Sequence, residues 1–166
     1  EYGIPWQVEG SIYKENEILN ADDIVLEVGS GGSTIFYGKR CKKVISIETD
    51  VSWYNQVLNK LHEEAITNVD YILIEKESDI CEYVKYISEK VNVISVDSII
   101  GFNRSLILDE ILSKDFDLRI IIMDNYGHKD LFPLHYDKVL KPDWEILTYN
   151  HPEWWGGGTR LYIKNT

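Results

Sequence analysis

From Asp23 onward, short apolar runs alternate with stretches of helical period, and this alternation restricts the fold more than any other feature of the sequence. A near-continuous apolar run reads as a strand buried on both faces, as in a parallel sheet covered by helices. The first such run is Ile24-Val25-Leu26-Glu27-Val28, and others follow at 44–48, 71–74, 91–96 and 118–123. Segments of helical spacing lie between them at 51–64, 79–90 and 104–112. Parallel neighbours need long crossover connections, so the pattern predicts repeated βαβ units. Two last runs, 144–149 and 160–164, are separated by a turn-rich stretch with Pro152 and Gly156-Gly157-Gly158 but by no helix. They are expected to pair as an antiparallel hairpin. The result is an α/β fold with a doubly wound, seven-stranded sheet whose last strand is antiparallel. Ahead of it, Gly3, Pro5 and Trp6 predict an irregular start, and Ile12, Tyr13, Ile18 and Leu19 predict a short helix.

At 166 residues the chain has the length of one domain, expected to span 1–166. Its formal charge of −11 and pI near 4.8 would repel a phosphate backbone, which argues against nucleic acid as partner. Cys41 and Cys81 lack metal-ligand spacing, and neither a signal peptide nor a membrane-spanning apolar run is evident. A reducing cytoplasm without membrane attachment is the expected location.

The segment Glu27-Val28-Gly29-Ser30-Gly31-Gly32-Ser33-Thr34 falls at the carboxyl end of the first strand, where open α/β sheets bind ligands. Glycine lets the backbone turn sharply and approach a ligand closely, while free amides opening the next helix can meet a carboxylate or phosphate. Ser33 or Thr34 would cap that helix. Glu48 ends the second strand, 19 residues after Gly29, the spacing at which an acid takes ribose hydroxyls. A glycine-rich turn alone is equally a tight strand-to-helix connection; paired with Glu48 it is far more specific.

A dinucleotide oxidoreductase would place a third glycine where Thr34 stands, which disfavours NAD. The acid followed by G-x-G, here Glu27, Gly29 and Gly31, resembles instead the first motif of the class I S-adenosylmethionine-dependent methyltransferases. The form Leu-Glu-Val-Gly-Ser-Gly-Gly-Ser-Thr is similar to a subgroup with a G-S-G-x-S-T loop, in which an aromatic such as Trp53 follows the ribose-binding acid. The resemblance runs over about residues 11–165 in element order and implies a Rossmann-like fold. It implies that Glu27, Gly29, Ser30, Gly31, Ser33 and Thr34 surround the methionine moiety of S-adenosylmethionine and that Glu48 holds the ribose. Glu77 and Ser78, after the third strand, would lie near adenine; a solvated acidic helix start explains Glu75, Glu77 and Asp79 equally well.

Asp97 follows the fourth strand, and Asp124-Asn125 follows the fifth, at the same sheet edge as Gly29. Two carboxylates and an amide oxygen suit a hard cation with open positions, with magnesium the natural choice, and such an ion would acidify an acceptor hydroxyl. This resembles the constellation of catechol O-methyltransferases and, more loosely, of macrolide-type sugar O-methyltransferases. Those families often carry a Lys or His base three residues after the first acid, where this chain has Ile100. Alternatively, Asp97 orients the methionine part of the cofactor while Asp124 and Asn125 close the strand end through Asx-turns. Arg104 either anchors an acidic substrate group or starts a helix and pairs with a neighbouring carboxylate.

Asp97 and His128 are the catalytic expectation, His128 as proton acceptor because an imidazole titrates near neutrality. His62 reads as surface, and His135 and His151 lack partners at metal spacing. Trp154 and Trp155 cover the mouth of the site or pack the hairpin on the core. A substrate pocket would draw on the N-terminal segment, this loop or a second subunit of a homo-oligomer. The leading expectation is methyl transfer to a small-molecule hydroxyl; a non-catalytic cofactor-binding module is the alternative from another class.

Overall fold

The computed structural model describes residues 3–97, 104–127, 142–151 and 157–165. A helix, α1 (Glu9–Ile18), precedes the alternating part: β1 (Ile24–Val28), α2 (Gly32–Gly38), β2 (Lys43–Glu48), α3 (Val51–Glu63), β3 (Val69–Leu73), α4 (Glu77–Tyr86), β4 (Val93–Val96), α5 (Arg104–Leu112) and β5 (Ile120–Asp124). The chain closes with β6 (Trp144–Tyr149) and β7 (Thr159–Lys164). These strands form one sheet in the order β3-β2-β1-β4-β5-β7-β6. The first five strands are mutually parallel, and β7 inserts between β5 and β6 antiparallel to both. The doubly wound seven-stranded sheet and its antiparallel last strand are as expected, and the order reverses at β1 and β4, the switch point where such sheets open a crevice. Among the described residues no helix is long and apolar enough to cross a membrane.

Because side chains alternate across a strand, each strand feeds two cores. Leu26, Val28, Ile45, Ile47, Ile94, Val96, Ile121 and Met123 point to one face, where Ile80 and Val84 of α4 and Ile107, Leu108 and Ile111 of α5 cover them. Val25, Val44, Val93, Ile120 and Ile122 point to the other, beneath Phe36 and Tyr37 of α2. On that second face the chemistry changes along the strands. One step above the apolar row, Glu27 lies between Ser46 of β2 and Ser95 of β4 in register. Two residues further on each strand come Gly29, Glu48, Asp97 and Asp124, so a polar site grows out of a hydrophobic floor.

Helix α1 forms where a short helix is expected. Ile12, Ile18 and the following Leu19 are partly buried against the apolar core of the second face, while Tyr13 is 69% exposed. The helix also buries Ser11 and Glu15, the latter where Tyr37 Oη meets it over the polar part of that face. Helix α4 ends at Tyr86 rather than 90, because the chain turns extended at Ile87 so that Ile87 and Val91 can fill the core.

Candidate functional site

Leaving β1, the backbone takes a φ of +94° at Gly29, a conformation that a side chain would strain. Gly32 is a glycine for a different reason: the Ile4 carbonyl passes so close that a Cβ would sit 2.0 Å from its oxygen. Helix α2 already begins at Gly32, so the residue before it is Gly31, and Thr34 caps the helix from its third position rather than from the preceding one. The Thr34 hydroxyl instead accepts from the Gly31 amide at 2.9 Å and donates to Glu27 Oε2 at 2.6 Å. Ser46 donates to the same oxygen at 2.5 Å, while the buried Glu27 Oε1 has no hydrogen-bond partner among the described residues. Burial pushes the Glu27 carboxyl up to about 7 against these hydroxyl hydrogen bonds.

Glu48 stands across the loop from Glu27 with 2% of its surface exposed. The Ser30 amide and hydroxyl donate to its Oε2 at 3.1 and 2.5 Å, and the amides of Thr49 and Asp50 donate to Oε1 at 2.6 and 2.9 Å. A hydroxyl and three amides thus donate to this carboxylate. Ser30 is held in turn: Tyr71 Oη lies 2.7 Å from its hydroxyl, and Trp53 Nε1 donates to its carbonyl at 2.8 Å. Asp50 accepts from the Trp53 amide at 2.6 Å and so caps α3, which fixes the indole over the loop.

At the other half of the edge, Arg104 opens α5 and is 2% exposed. Its guanidinium donates to the Asp124 carbonyl at 2.8 Å, to Asp97 Oδ1 at 3.2 Å and to Asn125 Oδ1 at 3.3 Å. The Asp97 side chain remains one-third exposed, whereas Asp124 is buried and accepts from Thr159 Oγ1 at 2.6 Å. Burial, reinforced by the Asp124 charge, raises the Asp97 carboxyl above the ordinary carboxylate range, and Arg104 opposes the rise. Behind these groups, Tyr37 donates toward Glu15 Oε2 at 3.0 Å and lies 3.2 Å from Ser95 Oγ.

No family model matches the sequence, and the search of curated proteins returns no match. Solved structures do match. A Streptococcus mutans protein assigned as a methyltransferase, solved with S-adenosylhomocysteine, covers 98% of this chain and 99% of its own at TM-score 0.75 and 19% identity. Precorrin 8W decarboxylase of Methanobacterium thermoautotrophicum matches 98% of this chain and 94% of its own at TM-score 0.63 and 18% identity. TrmK of M. capricolum, also with S-adenosylhomocysteine, matches over 95% and 69% at TM-score 0.61 and 14% identity. The fold is that of the S-adenosylmethionine-dependent methyltransferases.

Within this methyltransferase fold the sequence reading brings Glu27, Gly29, Ser30, Gly31, Thr34 and Glu48 together around one loop. Asp97, Asp124 and Asn125 also converge, but on a guanidinium. The positive charge assigned in the sequence to a magnesium ion is carried there by Arg104, and among the described residues no group of three or more His, Cys, Asp and Glu is placed to hold a metal. Arg104 takes its second reading, a helix start paired with a carboxylate. Ser78 is exposed in the first turn of α4 and bonds Asp79, the solvated arrangement, while the Glu77 side chain lies outside the described residues. His62 is exposed at the end of α3. His128, His135, Ile100, Trp154 and Trp155 lie outside the described residues.

Glu15, Tyr37, Ser95 and Thr159 adjoin the candidate site and were missed in the sequence reading. One signal was present: Ser46 and Ser95, like Glu27, are polar residues inside apolar strands, two places before Glu48, Asp97 and Gly29 respectively in sequence.

Proposed function

We propose that this chain binds S-adenosylmethionine in the cradle of residues 27–34 and Glu48 and transfers a methyl group to a small-molecule acceptor, most simply a hydroxyl oxygen. The observation that carries the reading is the pair of buried acids at adjacent strand ends, Glu27 and Glu48, on either side of a positive-φ Gly29, with Glu27 Oε1 left without a partner among the described residues. The residues suit the group chemically. Glu48 presents oxygens that now accept from hydroxyl and amide donors, as ribose hydroxyls would require, and the glycine turn keeps Cβ atoms out of the ligand's way.

When bound, the cofactor supplies an electrophilic methyl carbon on a sulfonium. Asp97, exposed by a third beside the loop and held in place by Arg104, can take the proton that an acceptor hydroxyl gives up. Its raised carboxyl brings it toward the range in which a general base works at neutral pH. Arg104 supplies the fixed positive charge of the site, so this reading routes nothing through a metal; His128 is the second proposed proton acceptor. The formal charge of −11 favours a small acceptor over RNA, although an rRNA methylase of Streptococcus thermophilus shares the fold at TM-score 0.60.

Calorimetric titration with S-adenosylmethionine and with NAD tests the cradle. S-adenosylmethionine is expected to bind more tightly, and Glu48→Ala to weaken it by about tenfold or more, the loss of a charge-assisted hydrogen bond of about 1.5–3 kcal/mol. Unchanged affinity in Glu48→Ala, or tighter NAD, would sink the assignment. S-adenosylhomocysteine production against a panel of phenols and sugars tests transfer, and binding without turnover on any acceptor would favour a non-catalytic module.

A further inference from the structure

Beneath the glycine loop the second face of the sheet buries acids that, among the described residues, meet hydroxyls rather than cations. Glu15 and Glu27 are 0% and 1% exposed, and each has one oxygen, Oε1, without a hydrogen-bond partner among the described residues. Their other oxygens meet hydroxyls: Tyr37 at Glu15, Thr34 and Ser46 at Glu27. Glu15 on α1 faces Tyr37 of α2, Glu27 of β1 and Asp124 of β5, and Glu27 in turn faces Ser33 and Thr34 of α2 and Ser46 and Glu48 of β2.

The two carboxyls feel each other's charge, and a hydrogen-bond chain leads from one toward the other. Tyr37 Oη bridges Glu15 Oε2 and Ser95 Oγ, and Ser95 stands opposite Glu27 in the β1–β4 ladder. A phenol has one proton and can donate to only one of its two neighbours. With Glu15 ionised, Tyr37 donates to Glu15 and Ser95 donates to Tyr37. With Glu15 protonated, Glu15 donates to the phenol and the phenol to Ser95. The protonation of Glu15 therefore reverses a hydrogen-bond chain whose far end lies beside Glu27.

We infer that Glu15, which holds Tyr37 and through it Ser95, and the neighbouring Glu27 sense the charge of the ligand in the glycine cradle, releasing a proton when a sulfonium ligand binds and retaining it when the neutral thioether binds. This rests on the cofactor reading above. S-adenosylmethionine and S-adenosylhomocysteine share the amino-acid and adenosine parts and differ by one positive charge at sulfur. A cation placed over buried carboxyls favours their ionised form strongly, because screening by water is weak there. Burial pushes Glu15 to about 8 and Glu27 to about 7, and the neighbouring acids add to both, so a proton is present near neutrality to be released. Glu15 acts through Tyr37 and Ser95 and is a positioning residue.

Calorimetry of each ligand with the full chain at pH 7, in phosphate and in Tris, reads the protons released on binding from the difference in buffer ionisation heat. S-adenosylmethionine is expected to release more than S-adenosylhomocysteine. Its Kd should tighten as pH rises, by about tenfold per pH unit for each proton released, while that of the thioether moves less. Glu15→Gln keeps the shape of the side chain and its contact with Tyr37 and should bring the two proton counts together; Tyr37→Phe, which cuts the chain, should narrow the difference as well. If neither variant folds, Asp97→Asn, which removes the other raised carboxyl of the sheet edge, decides: a difference between the two ligands that survives it supports the inference, and one that vanishes with it overturns the inference. Equal proton counts overturn the inference and leave the cofactor reading standing, whereas binding of neither ligand overturns both.

Discussion

Arg104 shows how one side chain redirects the chemistry of a site. Three oxygens at the ends of β4 and β5 invite a cation, and a guanidinium satisfies them with geometry that a point charge would not need, because its fork reaches the Asp124 carbonyl, Asp97 and Asn125 at once. Arg104→Met should lower stability by about 1.5–3 kcal/mol, the range for hydrogen bonds to charged groups. The lower half of that range is expected, because Asp97 is one-third exposed and water can take over part of the lost contact. Urea denaturation measures the loss. Arg104→Lys should recover only part of it, since an ammonium on a flexible stem cannot span three acceptors; full recovery in the lysine variant would mean that charge alone matters there.

At the scale of elements, the strands were legible because burial on both faces forces an apolar run, and β1, β6 and α5 lie where the sequence puts them. The candidate cradle was legible because glycine and acid at adjacent strand ends have few other uses. Helix α1 was legible as a short helix from Ile12, Tyr13, Ile18 and Leu19, but two of its polar ties were not: Glu15 meets Tyr37, and Val8, just ahead of the helix, donates to Thr159, partners about 20 and 150 residues away that no local period encodes. Arg104 could be read two ways because a charged residue at a helix start is ordinary on a surface, and only the fold shows that this start is buried. Helix α3 links an element to the site. Asp50 caps it through the Trp53 amide, and Trp53 holds the Ser30 carbonyl. Asp50→Ala should cost about 1 kcal/mol, lowering Tm by about 2–4 °C for a chain of this size. It should also weaken S-adenosylmethionine binding, since the loop loses its clamp. A Tm loss with unchanged affinity would show that α3 is cap-dependent but that the loop is held without it.

For the whole molecule, the buried acids set the pH dependence of stability, and they set it against the usual direction. A carboxylate paired with a cation has a lowered pKa and stabilises a protein above it. Glu15, Glu27 and Asp97 are raised by burial instead, the two glutamates from 4.5 to about 8 and about 7 and Asp97 from 3.8 to about 8. Between those limits the folded chain binds more protons than the unfolded one, so stability falls as pH rises. The contribution of these carboxyls is fully present below their unfolded values and is lost progressively as pH rises to about 8. Exposed pairs such as Lys60 with Glu63 and Glu64 are screened by solvent and add little to the slope. The ligand-free protein should therefore lose Tm steadily between about pH 5.5 and 8.5, and Glu15→Gln should flatten part of the curve by removing the more strongly shifted of the two glutamates. The same proton that destabilises the empty fold on leaving is the one a cationic ligand displaces, so saturating S-adenosylmethionine should raise Tm more at pH 8 than at pH 6. Thermal scans at the two pH values, with and without ligand, check both slopes; a Tm that rises with pH in the ligand-free chain would show that Glu15 and Glu27 are not the groups that govern it.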